Sequence, residues 1–484
     1  MATTSADLFD NDSHDWTQFS PAERESFFAA IARHRRMSWR VTAVSAVAII
    51  VATLVVGLMT SPLAYAVITI ALDLANLVAP TPDVLVVVAE IIESAKANGV
   101  SVADWVLVAV IVIAPGVLWV SLLLFALYRA LREAATLDAA DLGARPPTSQ
   151  VLAEQRFTNV VSEMSIAAGL APPRVLVTTL GHNAAIIGTD DTHATVVISE
   201  SLLSELNRAE LQGVAAHLVG SLANGDVAIG LRSALVTCFF GVLSHMSSVL
   251  SDDRTNAAAS FGAMARLLIM PTKVGVRRLM AEIADPFANS AQAQKRKVQK
   301  CTEPGKFTKR VRAVVQFLLM GPVLLTGLFG GTVGDFFLGS MLGFAWRQRK
   351  YLADATAVRL TRDPDTLAHA LMKMGRGRTI DSWADHLSVS HSGVRGKFNG
   401  WVPMFPSIER RLKALQKLGS TVTFRRSGPM PLKGTLLGIA FFSLIGGLKL
   451  VVLPLVAYLS MIFSLFCLTL PVILLHVLVR GLPG

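Results

Sequence analysis

The segment from Glu210 to Asp226 carries the pattern of a metal-binding helix from which most of the metal chemistry is missing. In a helix of the form H-E-x-x-H, two histidines one turn apart bind one Zn²⁺. The glutamate between them takes a proton from the metal-bound water. In this chain the first histidine position is His217, the glutamate position is Leu218, and the second histidine position is Ser221. Only His217 keeps a residue type that this chemistry uses.

The composition is that of an integral membrane protein. Of 484 residues, 52% are hydrophobic and only 16% are charged, and apolar runs long enough to cross a bilayer recur. The net charge of +11 comes mostly from basic residues beside these runs, without the aromatic-interleaved basic patch typical of nucleic-acid binding. The three cysteines are scattered and odd in number, which excludes a disulfide framework.

The N-terminal region predicts two transmembrane helices. Residues 1–40 are polar and end in a cluster of arginines (Arg33, Arg35, Arg36 and Arg40), so the positive-inside rule places this segment in the cytoplasm. About 40 mostly polar residues before the first apolar run argue against a cleavable signal peptide. We predict helices at 41–60 and 105–127, within 41–127, joined by an external acidic loop at 61–104. The second helix tolerates Pro115-Gly116 if neighbouring groups satisfy the freed carbonyl.

A soluble domain follows in two halves, 146–226 and 346–430, separated by membrane segments at 227–345 that contain a basic insertion at 251–312. In the first half the pattern predicts a helix at 150–169, strands at 172–178 and 194–199 with an irregular connection between them, and then two helices. Asn207 and Glu210 form the cap signature of the second of these helices. The second half reads as polar helices. Residues 432–480 predict a C-terminal transmembrane hairpin that returns to the cytoplasm.

Residues from about 150 to 420 resemble the integral-membrane zinc metallopeptidases of the HtpX type, relatives of the CAAX prenyl proteases. Five segments match in the right order: Pro172 to Val177 with Asn183-Ala184, Asn207 to His217, Asn224-Gly225-Asp226, Arg347 to Thr361, and Phe405 to Arg411. The resemblance implies an α-helical integral membrane protein with a zincin-like α+β metallopeptidase domain, on the cytoplasmic side of the bacterial inner membrane.

Most catalytic positions that the resemblance implies hold unsuitable residues. The first zinc ligand maps to His217, the general base to Leu218 and the second ligand to Ser221. The third ligand maps to Lys350, a cation where an anion is expected. A supporting aspartate is present as Asp354, and the histidine of the closing motif is replaced by Phe405. One imidazole cannot hold zinc tightly, so we expect no cofactor. Zinc is expected only under the alternative hypothesis that the site is active.

Two residues have open interpretations. His217 can be a hydrogen-bonded histidine left in a family cleft, or it can bind a metal with help from Asp226, Asp354 or a remote histidine such as His386 or His391. Lys350 can be an ordinary lysine, can pair with Asp354 one helical turn away, or can stand in for the lost zinc charge by neutralising buried carboxylates such as Asp354.

The predicted cleft comprises Asn183, Ala184, Asn224, Asp226 and Asp354. By resemblance, the segment Asn183-Ala184-Ala185 lies at an edge strand that can hold an extended peptide by main-chain pairing, which needs no metal. The alternative for this segment is a plain loop.

The favoured function is that of a pseudopeptidase, a non-catalytic binding, regulatory or scaffold subunit of a membrane complex or of membrane-protein quality control. Its expected partners are the lipid bilayer and a protein partner or membrane-protein client, and it can form an oligomer. The second hypothesis is an active zinc endopeptidase that cleaves membrane proteins. A third is a transport or channel subunit, for which contact between Arg232 and Asp335 would be the sign.

Overall fold

The computed structural model describes residues 24–81, 102–135, 143–251, 257–276, 339–375, 387–390 and 405–423. It also describes a few isolated positions, namely 83, 86, 89, 90, 93, 94, 279, 472–474 and 476–478. Most of the predicted basic insertion and of the C-terminal hairpin, together with His386, His391 and Asp335, lie outside the described residues.

Two long helices form the N-terminal part. Helix α1 (Phe27–Asn76) begins at Ser26, whose side chain accepts a hydrogen bond from the backbone of Ala29 at 3.2 Å. Helix α2 (Val102–Ala135) continues through Pro115 and packs along α1. A Cβ atom on Gly116 would lie 1.8 Å from the carbonyl oxygen of Gly57, so glycine is needed at this close crossing. The predicted loop therefore begins with helix, since α1 extends to Asn76.

The part of the chain that the structure describes contains one helix, Ile113–Ala135, that is long and apolar enough to cross a membrane. A second candidate exists only if two helices that meet at 66°, Arg208–Ala223 and Asp226–Val242, count as one broken span. The first of that pair is the central helix of the domain, where 12 of its 16 residues are buried, so we regard it as a core helix. The exposed side chains of α2 include the apolar Leu118, Leu122 and Phe125.

A four-stranded sheet forms one layer of the domain. Its strands are β1 (Ala144–Arg145), β2 (Arg174–Thr178), β3 (Ala184–Gly188) and β4 (Ala194–Ser199), in the order β1-β2-β4-β3. Strand β4 pairs with β2 in parallel and with β3 antiparallel. The predicted strands are confirmed as β2 and β4, whereas the connection predicted to be irregular contains β3. The apolar residues of β3 are buried, and this burial stabilises a strand too short for its pattern to be recognised.

Helices cover the rest of the domain and the segment after it. They are α3 (Leu152–Ala168), α4 (Glu200–Glu205), α5 (Arg208–Ala223), α6 (Asp226–Ser251), α7 (Ala257–Ile269), α8 (Gly339–Thr361), α9 (Pro364–Met374) and α10 (Ile408–Lys417). The predicted start of α5 is confirmed: Asn207 accepts from the backbone of Glu210 at 2.9 Å, and Glu210 accepts from the backbone of Asn207 at 2.8 Å. This reciprocal pair satisfies two of the free N–H groups at the helix start.

Helix α5 lies at the centre of the domain, in contact with α3, α8 and α9. Two glycines let its neighbours approach closely. A Cβ atom on Gly213 would lie 2.6 Å from the backbone nitrogen of Leu367 on α9, and one on Gly220 would lie 3.1 Å from Cβ of Thr356 on α8. The close approach of α8 brings its side chains onto the face of α5 that carries His217.

The few described residues near the C-terminus lie beside one end of α1. His476 Nε2 lies 2.9 Å from Asp83, and its Nδ1 lies 3.1 Å from Asp73, near the C-terminal end of α1. The opposite end of α1 contacts the domain, where Arg349 donates to Ser38 at 3.2 Å and His34 pairs with Gln348 at 2.8 Å. His476 therefore lies near the end of α1 that is remote from Arg349, and the membrane side to which the predicted hairpin returns stays a prediction.

Candidate functional site

The centre of the candidate site is a buried cluster contributed by α5, α8 and α10. His217 Nδ1 lies 2.8 Å from Oδ1 of Asp354. The guanidinium of Arg411 donates to both oxygens of Asp354, at 2.7 and 2.9 Å. All three side chains are at most 2% exposed. The structure thus brings together His217 and Asp354, as the sequence predicted, and adds Arg411, which the sequence analysis quoted without assigning it a role.

The protonation states of this cluster follow from burial and charge. Burial lowers the pKa of His217 to about 4, although Asp354 opposes the shift, so the imidazole is neutral at physiological pH. Burial also disfavours the charge on Asp354, but Arg411 and His217 outweigh it and hold the pKa of this carboxyl well below its usual range. The cluster is therefore a carboxylate clamped by a guanidinium beside a neutral histidine.

His217 itself is poorly satisfied. The contact of Nδ1 with Asp354 has the distance of a hydrogen bond but lies outside its regular angles, and Nε2 has no hydrogen-bond partner among the described residues. A buried imidazole nitrogen without a partner is uncommon in proteins and marks this atom as the place where a further group can bind.

Lys350 is buried beside this cluster, and its Nζ donates to the main-chain carbonyl of Ser388 at 2.6 Å. Burial is the main cause of the lowered pKa of His217, and the positive charges of Arg411 and Lys350 lower it further.

Arg411 clamps both oxygens of Asp354, because the fork of a guanidinium matches the two oxygens of a carboxylate. Burial raises the pKa of Asp226, and the charges of Arg349 and Lys350 oppose this shift. The hypothesis that Lys350 stands in for the lost zinc charge beside buried carboxylates stays a prediction.

The remaining predicted positions serve structural contacts. Leu218 is fully buried within the main hydrophobic core. Asp226 pairs with Arg349 of α8 and accepts a hydrogen bond from Ser221. The side chain of Asn224 donates to Thr356 at 3.2 Å. These contacts hold α5, the start of α6 and α8 together.

The donors that the described residues place around His217 do not fit zinc. Within the described ranges there is no group of three His, Cys, Asp or Glu residues that could hold a metal ion. His217 offers one neutral nitrogen, but the two other ligand positions implied by the resemblance hold the hydroxyl of Ser221 and the ammonium of Lys350, and neither is a usual zinc ligand.

The segment at which the resemblance predicts a peptide-binding edge belongs to strand β3, and the outer side of this strand is already paired. Beyond β4, the outer side of β3 meets residues 387–390: Ala185 forms an antiparallel bridge with Ser388, and the N–H of Val389 donates to the carbonyl of Ala184 at 2.8 Å. Asn183 holds Ser390 through both ends of its amide, donating to the carbonyl at 2.6 Å and accepting from the N–H at 3.2 Å. The alternative of a plain loop is wrong for Ala184 and Ala185, which belong to β3.

Sequence reasoning missed Arg349, Arg411 and the segment 387–390. Arg349 and Arg411 lie inside motifs that the resemblance covers. A charged residue among the apolar positions of a predicted helix was the one sign in the sequence that each side chain is buried. The alternating sequence Leu387-Ser-Val-Ser390 has the period of a strand, but four residues are too few to separate it from a loop or helix.

Comparison with known proteins supports the predicted class. The profile of Peptidase family M48 matches residues 152–303, which include the sheet and α5. This region is therefore an M48 peptidase domain.

The chain is also similar to proteins named Protease HtpX homolog. One, from Caldanaerobacter subterraneus subsp. tengcongensis, is 28% identical over 265 residues, which are 54% of this chain and 71% of the relative. Another, from Tropheryma whipplei, is 29% identical over 272 residues, which are 55% of this chain and 73% of the relative. No solved structure matches significantly. The chain thus carries an M48 peptidase domain and is similar to HtpX-like members of that family, as its motifs predicted.

Proposed function

We propose that this protein is a non-catalytic HtpX-like homologue that binds polypeptide segments through its cleft, as a binding, regulatory or scaffold subunit in a membrane complex or in membrane-protein quality control. The observation that carries the proposal is the buried Lys350, which occupies the third-ligand position and binds a peptide carbonyl. A zinc site would place a metal cation near this point, and a fixed ammonium repels it.

The hydrolytic step lacks its proton acceptor as well. Peptide hydrolysis at a zinc site requires a base that takes a proton from the attacking water. Leu218 stands at that position and is part of the core, so it can neither accept a proton nor admit water. What remains is the main-chain binding edge at Asn183 and β3, and binding at such an edge needs neither metal nor base.

The metal content of the detergent-purified full chain tests this proposal. We expect far less than one zinc ion per chain by elemental mass spectrometry after a chelator-free preparation, and no cleavage of an unfolded protein such as casein. His217→Ala is the matched control, and we expect it to leave the zinc content unchanged. One zinc ion per wild-type chain that is lost in His217→Ala would overturn the proposal.

One observation favours the second candidate, an active zinc endopeptidase. Nε2 of His217 is buried and has no hydrogen-bond partner among the described residues, as expected of a nitrogen that binds a metal. This candidate requires ligands from outside the described residues, such as His386 or His391. It predicts that His386→Ala or His391→Ala removes both bound zinc and peptidase activity.

We further propose that α2 crosses the cytoplasmic membrane and that the domain lies in the cytoplasm. The N-terminal end of α1 carries the arginine cluster and contacts α8, which supports a shared side for both. The opposite end of α1, near Val78, then lies outside.

Thiol labelling in cells tests this topology. In a background with all three native cysteines replaced by serine, we expect Val78→Cys, at a site 91% exposed, to react with a membrane-impermeant maleimide added from outside. Ser149→Cys, on the exposed surface of the domain, should react only after the membrane is permeabilised. Labelling of Ser149→Cys in intact cells, with Val78→Cys protected, would reverse the proposed orientation.

A further inference from the structure

The outer edge of β3 is held by the chain itself, through its main chain. Three successive carbonyls, those of Ser388, Val389 and Ser390, accept hydrogen bonds from the side chains of Lys350, Arg411 and Asn183 respectively. These donors come from α8, from α10 and from the residue before β3, and all three are buried. The cleft thus presents a row of fixed donors spaced for consecutive peptide carbonyls.

These donors recognise backbone rather than side chains. A backbone carbonyl is available in any polypeptide, so the same row can bind another segment that runs antiparallel to β3. Side-chain selection comes from the alternate positions of the segment, since successive residues of a paired segment point to opposite faces. Leu387 and Val389 are 5% and 0% exposed and join the main core, whereas Ser388 and Ser390 are small and fully buried.

Building on the proposed function, we propose that residues 387–390 are an internal pseudo-ligand that closes the peptide-binding edge. The external ligand is an extended client segment that alternates apolar and small residues. The ammonium of Lys350 binds a peptide carbonyl, as a metal ion does in a catalytic cleft. Because the internal segment is tethered, its effective concentration is high, so a client binds weakly until this segment is displaced.

A reversible lock tests the proposal on the full chain in detergent. Ala185 and Ser388 face each other across the bridge, so the double variant Ala185→Cys/Ser388→Cys can form a disulfide that fixes the segment on β3. The probe is a fluorescent peptide with the sequence of residues 384–393, measured by fluorescence anisotropy. We expect the oxidised variant to bind the peptide at least about tenfold more weakly than the reduced variant. Each single cysteine variant serves as a control and should not respond to the redox state.

A second variant opens the edge instead of locking it. Val389→Pro removes the N–H that donates to Ala184, and we expect it to bind the peptide about tenfold more tightly than the wild type. Adding Asn183→Ala to Val389→Pro should abolish this gain, because the amide of Asn183 would make the hydrogen bonds that hold the main chain of the external segment.

The possible results separate this proposal from the proposed function. Equal peptide binding by the oxidised and reduced lock variant overturns the pseudo-ligand and leaves the non-catalytic function intact. Cleavage of the peptide by the reduced variant overturns the non-catalytic function and leaves the occupancy of the edge intact. Absence of peptide binding in the wild type, the reduced lock variant and Val389→Pro, all folded, overturns both.

Discussion

Replacing Arg411 with alanine is expected to destabilise the domain by about 3–5 kcal/mol, because it leaves a buried carboxylate without its cation. The guanidinium makes two hydrogen bonds to Asp354, at 2.7 and 2.9 Å, and a third to the carbonyl of Val389. Arg411→Lys should recover only part of the loss, because an ammonium keeps the charge but not the fork that holds both carboxylate oxygens. Thermal or denaturant unfolding of the detergent-purified chain measures the effect.

Arg410 is the matched control for this prediction. It precedes Arg411 in the same helix, but its side chain is exposed, so Arg410→Ala should change stability by less than about 0.5 kcal/mol. If Arg411→Ala unfolds at the same temperature as Arg410→Ala, then the Arg411–Asp354 clamp does not hold α8 and α10 together, and the geometry of the site is wrong.

Lys350→Glu is expected to cost more than about 4 kcal/mol, since it replaces a buried ammonium with a buried carboxylate. The change removes the donor to Ser388 and adds a negative charge one helical turn from Asp354. Lys350→Met keeps a similar side-chain length without charge and should cost about 2 kcal/mol, mainly through the carbonyl left without its donor. Unchanged stability of Lys350→Glu would show that the charge of Lys350 does not support the folded cleft.

Zinc provides a rescue experiment for the same position. The triple variant Leu218→Glu/Ser221→His/Lys350→Glu restores the general base and the two missing metal ligands that the resemblance assigns to the catalytic site. We expect added zinc to raise its midpoint of thermal unfolding, because a ligand that binds only the folded state stabilises it. Zinc should leave Lys350→Glu alone unchanged, since that variant still lacks the second histidine. A triple variant without zinc uptake would show that these positions do not converge on one metal site.

Much of the fold was predictable from local patterns. The boundaries of α3, of β2 and β4 and of the start of α5 follow from apolar periodicity, prolines and a capping pair, each of which acts within a few residues. Strand β3 escaped prediction because its four apolar residues follow no alternation and acquire strand geometry only between β4 and the segment 387–390. The end of α1 at Asn76 was not predicted either, because the mildly apolar stretch after residue 60 is compatible with a helix and with a membrane-associated loop.

The candidate site divides in the same way. The motif positions predicted that His217 and Asp354 belong together, and their side chains lie 2.8 Å apart. The hydrogen bond from Lys350 to the carbonyl of Ser388 was not predictable, since it joins residues 38 positions apart. The pairing of Arg411 with Asp354 spans 57 residues, and that of Asn183 with Ser390 spans 207.

The sequence by itself determined which groups stand at the catalytic positions, because residue type is local information: one imidazole, a leucine, a serine and a lysine. It also determined the helices and strands that local apolar periodicity, prolines and capping residues define. Only the tertiary structure decided which cation clamps Asp354, where the ammonium of Lys350 points and which segment pairs with β3. Those choices depend on the packing of α5, α8 and α10, which brings together side chains and carbonyls that are distant in the chain and buries them where each polar group requires a partner.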